Sequence, residues 1–201
     1  MAEGLKLPPP RSKGDLSLEE VLAKRRSIRD FRDRALTDEE LSQLLWAAQG
    51  ITDQEGDRTA PSAGALFPLE LYVARSDGLF HYQPADHSLR CLATEDLRSR
   101  ICRAALDQEM LEHAPATFVL AAVYERTARK YGRSRSPRYV HMEAGHAAQN
   151  LLLEAVALGL GAVLVGAFED EEIRNVLSLE RDHRPLYLIP VGPVRRGIPD
   201  G

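Results

Sequence analysis

Four short stretches of this 201-residue chain combine residue types and spacings that could do chemistry. Arg25-Arg26-Ser27-Ile28-Arg29 sets three guanidinium groups and a hydroxyl within five residues. In an extended chain Arg25, Ser27 and Arg29 face one side at period 2, and in a helix Arg25 and Arg29 align at i, i+4. Either way the planar forks of arginine suit a phosphate monoester; a solvated basic helix end is the competing reading. Ala60 to Pro68 (APSAGALFP) runs through the small residues Pro61, Ser62, Ala63, Gly64 and Ala65. A backbone without bulky side chains lets a flat ligand approach closely, and a tight structural turn is the alternative. Val165-Gly166-Ala167-Phe168 reads as a strand end meeting a helix start, where free amides can donate. Gly192-Pro193-Val194-Arg195-Arg196 adds a second basic pair behind the last strand.

Other catalytic patterns fail on spacing. His141 and His146 flank Glu143 at i, i+5, which turns them on the order of 140° apart on a helix instead of sharing a face for zinc. Gly159-Leu160-Gly161 follows a helix and precedes a strand, the reverse of a dinucleotide fingerprint, and reads as a helix stop. Ser62 lies in PSAG with no strand before it, so it forms no nucleophile elbow. Cys91 and Cys102 make no CxxC pair. No metal site and no disulfide framework is expected, and a reducing compartment is the default.

The elements that must position these residues start with two capping boxes, Ser17 to Glu20 and Thr37 to Glu40, each opening an apolar-periodic helix. Gly50 is a stop for the second helix. Leu69 to Ala74 reads as a strand, Leu79 to Leu92 as a hairpin turning near Pro84 to His87, and Asp96 to Leu111 as a helix. Thr117 to Tyr124 is a buried strand, His141 to Leu158 a helix buried on most sides, and Val163 to Val165 the start of another strand. A helix over Asp170 to Leu177 and a strand over Leu186 to Val191 complete the series. Helices and strands segregate more than they alternate, which favours α+β. Residues 1–15, with Pro8, Pro9 and Pro10, read as an extended arm, and 16–201 as a single domain.

Composition excludes several classes. Hydrophobic residues at 44% and charged residues at 28% describe a globular chain. A formal charge of -4, from 26 Lys+Arg against 30 Asp+Glu, argues against a protein whose whole surface is a nucleic-acid footprint and leaves open only a local basic patch. The most basic segment, Glu125 to Arg138, lacks a stacking platform for bases. No apolar run approaches the roughly 20 residues of a membrane span and no signal core opens the chain, so a soluble cytoplasmic protein without membrane or nucleic-acid partners is expected. Only four of the 26 cations are lysines, and Lys130 alone lies beyond position 24.

Taken in order, these motifs resemble the nitroreductase family of FMN enzymes, over about Val21 to Arg196. The family's phosphate motif is matched by Arg25, Arg26, Ser27 and Arg29, and its flavin-ring segment by Ser62, Ala63, Gly64 and Ala65 with Pro61 leading in. Its loop presenting a backbone amide near flavin N5 is matched by Gly166 and Ala167, and its C-terminal phosphate ligand by Arg195 or Arg196. PSAGALFPLELYV and the run from Arg129 to Leu151 look most like the SagB-type dehydrogenases, some of which oxidise azoline rings in peptides. Their Lys-Tyr pair is matched by Lys130 and Tyr131; on the residues alone, these two are equally a solvated basic loop. The resemblance implies an α+β fold with a central, mostly antiparallel sheet flanked by helices, built as an intertwined homodimer with FMN at the subunit interface. It implies hydride transfer through N5, with a small molecule or peptide as substrate. A proton must also leave the azoline, and Tyr131 beside an ammonium, or Lys130 itself, is the expected base. NAD(P)H-dependent reduction of a nitro or quinone-like acceptor is the broader alternative, and a non-enzymatic flavin-binding scaffold subunit the third.

Overall fold

Both capping boxes form. In the computed structural model, which describes residues 5–195, the Ser17 hydroxyl accepts the Glu20 amide at 3.2 Å while Glu20 reaches back to the Ser17 amide at 2.9 Å. Thr37 and Glu40 repeat the exchange at 3.2 and 2.8 Å. These start helices α1 (Leu18–Lys24) and α2 (Asp38–Gln49).

The centre is a seven-stranded sheet in the order β1-β4-β3-β2-β5-β7-β6, antiparallel at every pairing. The strands are β1 (Leu5–Lys6), β2 (Leu69–Arg75), β3 (Gly78–Gln83), β4 (Ser88–Ala93), β5 (Ala116–Ala122), β6 (Leu160–Ala162) and β7 (Arg184–Pro193). Strand β5 is buried along its whole length, because apolar side chains alternate between two cores. Phe118 and Leu120 join Leu71, Val73 and the helices α2 and α6 (Ser136–Ala157) on one face. Val119 and Ala121 join Tyr72, Leu79 and the helices α3 (Arg98–Ala104), α4 (Met110–His113) and α7 (Asp170–Val176) on the other. The α+β architecture expected from the sequence is present.

Several boundaries move. The helix expected over Asp96 to Leu111 is two short ones, broken where Leu106 and Asp107 take φ of 57° and 56°. The basic stretch from Glu125 is largely helical: α5 (Tyr124–Tyr131) carries Lys130 and Tyr131 in its last turn, ended by Gly132 at φ 79°. The strand expected at Val163 lies three residues earlier, at β6, and Val165 makes only an isolated bridge to Leu188. From Leu5 the N-terminal arm is extended and lies against the body: β1 pairs with β4, Leu7 is buried, and the Pro8 carbonyl accepts from Ser42 Oγ at 2.5 Å. Cys91 and Cys102 are unpaired, and no helix among the described residues is long and apolar enough to cross a membrane.

Candidate functional site

The arginine segment is held open by a glycine. Helix α1 stops at Lys24 and the chain becomes extended, with Ser27 bridged to Ala162 and the Ile28 amide donating to the Ala162 carbonyl at 3.0 Å. A Cβ on Gly161 would lie 2.6 Å from Ile28 Cγ2, so only a bare backbone lets the segment sit on β6. The sequence presented Gly161 as part of a helix stop, but Gly159, at φ 71°, ends that helix while Gly161 provides close approach. Arg29 is exposed; Arg26 instead turns back, donating from Nη1 to the carbonyls of Ala23 and Arg25 at 2.8 Å each and capping α1.

The other end of the chain arrives at the same place. Beyond β7, Val194 bridges to Phe31, the Arg195 amide donates to the Asp30 carbonyl at 3.3 Å, and Arg195 Nε lies 3.1 Å from Asp30 Oδ1. Arg29 and Arg195 line one cavity of about 620 Å³, together with Gln108, His113 and the acids Asp30 and Glu109. Gln108 also donates to the Ala167 carbonyl at 2.8 Å, tying the exposed Gly166-Ala167 loop to this cavity. Three separated motifs thereby gather where two guanidinium groups can meet an oxyanion. Arg196 lies outside the described residues.

A second cluster forms at the entrance to β2. Residues Ala63–Ala65 make a single tight turn in which Gly64 takes φ 67°, with Ala65 at 53° and Phe67 at 43°. Helix α5 lies directly above. A Cβ on Gly64 would be 2.7 Å from Lys130 Nζ and 2.9 Å from the Tyr131 hydroxyl, so the glycine and this Lys-Tyr pair are in contact. Helix α5 is fixed there by Arg126, which donates to the Phe67 carbonyl at 3.0 Å and pairs with Glu70 on β2. Burial alone would raise the Glu70 carboxyl, but His81 at 2.7 Å and Arg126 hold it down at about 2. Tyr131 packs on Tyr139 of α6 at 4.7 Å between ring centroids.

Below the turn, the Ser62 hydroxyl donates to Glu143 Oε2 at 2.5 Å and accepts the Phe67 amide at 2.9 Å. Pro61, Ser62 and Ala65 line a cavity of about 400 Å³ with Arg58, whose guanidinium lies 4.6 Å over the Phe67 ring. Burial pushes the Arg58 guanidinium down from its ordinary value, opposed by the charges of Glu70 and Glu143. Sequence reasoning did not single out Arg58 or Gln108, and no local motif marks them; Arg126 stood only within the basic run from Glu125 to Arg138. Glu143 was visible as the middle of a failed zinc motif and as part of the family-like wording around His146, Gln149 and Asn150, with no role assigned.

The two clusters occupy opposite ends of the sheet. Ala116 of β5 pairs with Val191, four residues before Arg195, whereas Ala122 pairs with Leu69, just after the small-residue turn. Six residue steps of strand separate them, about 20 Å.

The chain matches the model of the nitroreductase family over residues 22–193. It is 48% identical over 184 residues to a nitroreductase-family protein of Methanocaldococcus jannaschii, covering 89% of this chain and 91% of that one. The microcin B17-processing protein McbC of Escherichia coli is 27% identical over 135 residues, covering 62% of this chain and 49%, about half, of McbC. The solved structure of a nitroreductase-family protein from Ralstonia eutropha superposes with a TM-score of 0.87 at 31% identity, covering 96% of this chain and 90% of the other.

Proposed function

We propose that this chain, which belongs to the nitroreductase family of oxidoreductases, uses FMN to dehydrogenate azoline-type rings in peptides, with Lys130 and Tyr131 receiving the proton. The observation that carries the reading is the contact of both side chains with Gly64 in the small-residue turn. The residues present fit FMN: the cavity lined by Arg29 and Arg195 offers two guanidinium forks to a phosphate, and the exposed Gly64 and Ala65 leave room beside a flat ring. Arg25 and Ser27 share the extended segment with Arg29, while Arg26 caps α1 and sets where that segment begins. Gly166 and Ala167 stand at the edge of the phosphate cavity through Gln108.

FMN, when bound, supplies a two-electron acceptor at its N5. The substrate ring carbon gives up a hydride, the adjacent carbon gives its proton to the Lys130–Tyr131 pair, and the electron pair of that second C–H bond becomes the new C=C bond. The chain's task is to hold this pair against the turn and to keep the ring and phosphate in register. Because the two clusters lie at opposite ends of β5, a second copy of the chain is needed to bring a phosphate-binding end to a ring-binding end, which supports a homodimer with shared sites. McbC, whose name ties it to microcin B17 processing, is the relative that favours a peptide substrate.

The test starts with the visible spectrum after FMN is added to the purified protein, followed by an assay on an azoline-containing peptide. Lys130→Ala and Tyr131→Phe are expected to keep the flavin spectrum and lose about 10² or more in turnover. Unchanged turnover removes the base assignment, and a protein that takes up no FMN overturns the whole reading. A second reading, NAD(P)H-dependent reduction of a nitro or quinone-like acceptor, is favoured by the match along nearly the full length of the M. jannaschii protein. NAD(P)H bleaching of the flavin, with acceptor turnover indifferent to Lys130→Ala, would select it. A flavin that stays bound and supports neither reaction would select the scaffold role.

A further inference from the structure

The chemistry above leaves one buried acid without a task. Glu143 lies in the middle of α6, 2% exposed, and its Oε1 is buried with no hydrogen-bond partner. Its Oε2 accepts from Ser62 Oγ, which in turn accepts the Phe67 amide, so a single carboxyl grips both ends of the Ser62 to Phe67 turn. Within that turn Ala65 and Phe67 hold left-handed φ angles that L-residues avoid, a conformation that persists only where the surroundings enforce it. The opposite side of the turn is held by Arg126 at the Phe67 carbonyl, and its crest, Gly64, touches Lys130 and Tyr131.

We propose that Glu143 is a positioning residue: acting through Ser62, it keeps the turn left-handed and so sets Gly64 at the height where Lys130 and Tyr131 meet the substrate. The clamp itself stands on the hydrogen bonds; its effect on turnover rests on the FMN reading above. The groups acting on Glu143 come from three elements. Arg58, from the segment before the turn, favours the anion; Ser62, in the turn, donates to it; and α6 buries it. Burial pushes the carboxyl up to about 7, against the Ser62 hydrogen bond and the Arg58 charge. An ionised carboxylate grips a hydroxyl more strongly than a neutral acid does, so the clamp tightens as pH rises through that value.

The experiment compares the wild-type chain with Glu143→Gln and Ser62→Ala, with and without FMN. In the FMN-loaded protein kcat is expected to rise through about pH 7 with KM little changed. In Glu143→Gln the step near pH 7 should be absent and the flavin spectrum intact. Without FMN, the wild-type melting temperature should fall as pH rises from about 4.5 through about 7, because the folded state holds the Glu143 proton more tightly than the unfolded chain does. Glu143→Gln should lack that fall, and Ser62→Ala should speed amide exchange at Gly64 to Phe67. Wild-type pH dependence persisting in Glu143→Gln, or unaltered exchange in Ser62→Ala, overturns the proposal. If even the wild type turns nothing over, the FMN reading fails while melting and exchange still decide the clamp.

Discussion

Gly64 sits where the small-residue turn meets the Lys130 and Tyr131 side chains. Its φ of 67° and the 2.7 Å between a would-be Cβ and Lys130 Nζ mean that an alanine there strains the turn and displaces the lysine. Gly64→Ala is expected to cost about 1 kcal/mol of stability, read from melting, and, with Lys130 taking the proton as proposed, about tenfold or more in kcat, because the added methyl pushes the lysine's flexible end out of place. A melting shift with unchanged kcat would show that the contact does not matter to turnover. The sequence displayed the turn and the Lys-Tyr pair as separate motifs 66 positions apart (130 minus 64), and nothing local joined them. What joins them is Arg126 pairing with Glu70 on β2 and reaching the Phe67 carbonyl, a long-range contact with no periodicity to announce it. Glu143 was harder still to read, since a buried acid on a small-residue helix looks the same in sequence whether it packs or positions.

At the scale of elements, glycines decide where the arginine segment goes. Gly161 faces Ile28 at a distance no side chain tolerates, and a Cβ on Gly192 would lie 2.5 Å from Pro115 Cδ and 3.2 Å from Phe31 Cβ. Gly161→Ala is expected to lift the Ile28 segment off β6, costing about 1 to 3 kcal/mol in melting experiments and, on the proposed FMN reading, weakening flavin binding in a fluorescence titration. Loss of stability without loss of FMN affinity would separate Arg29 from the phosphate. Much at this scale was legible beforehand: both capping boxes, the hairpin near Pro84 and the largely apolar β5 follow local rules that the tertiary structure obeys. The failures share a cause. The break between α3 and α4 depends on left-handed Leu106, a residue type that does not advertise such a turn, followed by Asp107, which tolerates one inside an otherwise helical pattern, and β6 is three residues recruited by pairing with β7.

At the scale of the whole molecule, the separation of the two clusters along β5 makes a stoichiometric prediction. If each site takes its arginines from one copy and its Lys-Tyr pair from the other, Arg29→Glu and Lys130→Ala chains should each be inactive alone. Mixed and allowed to exchange subunits, they should recover about a quarter of wild-type sites, since half the dimers are mixed and each of these regains one intact site. No recovery in mixed dimers shown to form by mass would place the whole site within one copy. The sequence implied this assembly only through resemblance; what the fold adds is the strand register that sets the clusters apart.

The two rims of the sheet carry a different consequence. Strand β1 lies along β4 at one edge, with the Leu7 amide bonded to the His87 carbonyl, and the Ser27-Ile28 segment lies along β6 at the other. Both covers come from the first 30 residues of the chain. An exposed strand edge invites pairing with any other chain, so this leading segment acts as a stopper at each end of the ladder. The same stretch that brings Arg29 to the cavity it shares with Arg195 therefore also protects the protein from edge-to-edge aggregation.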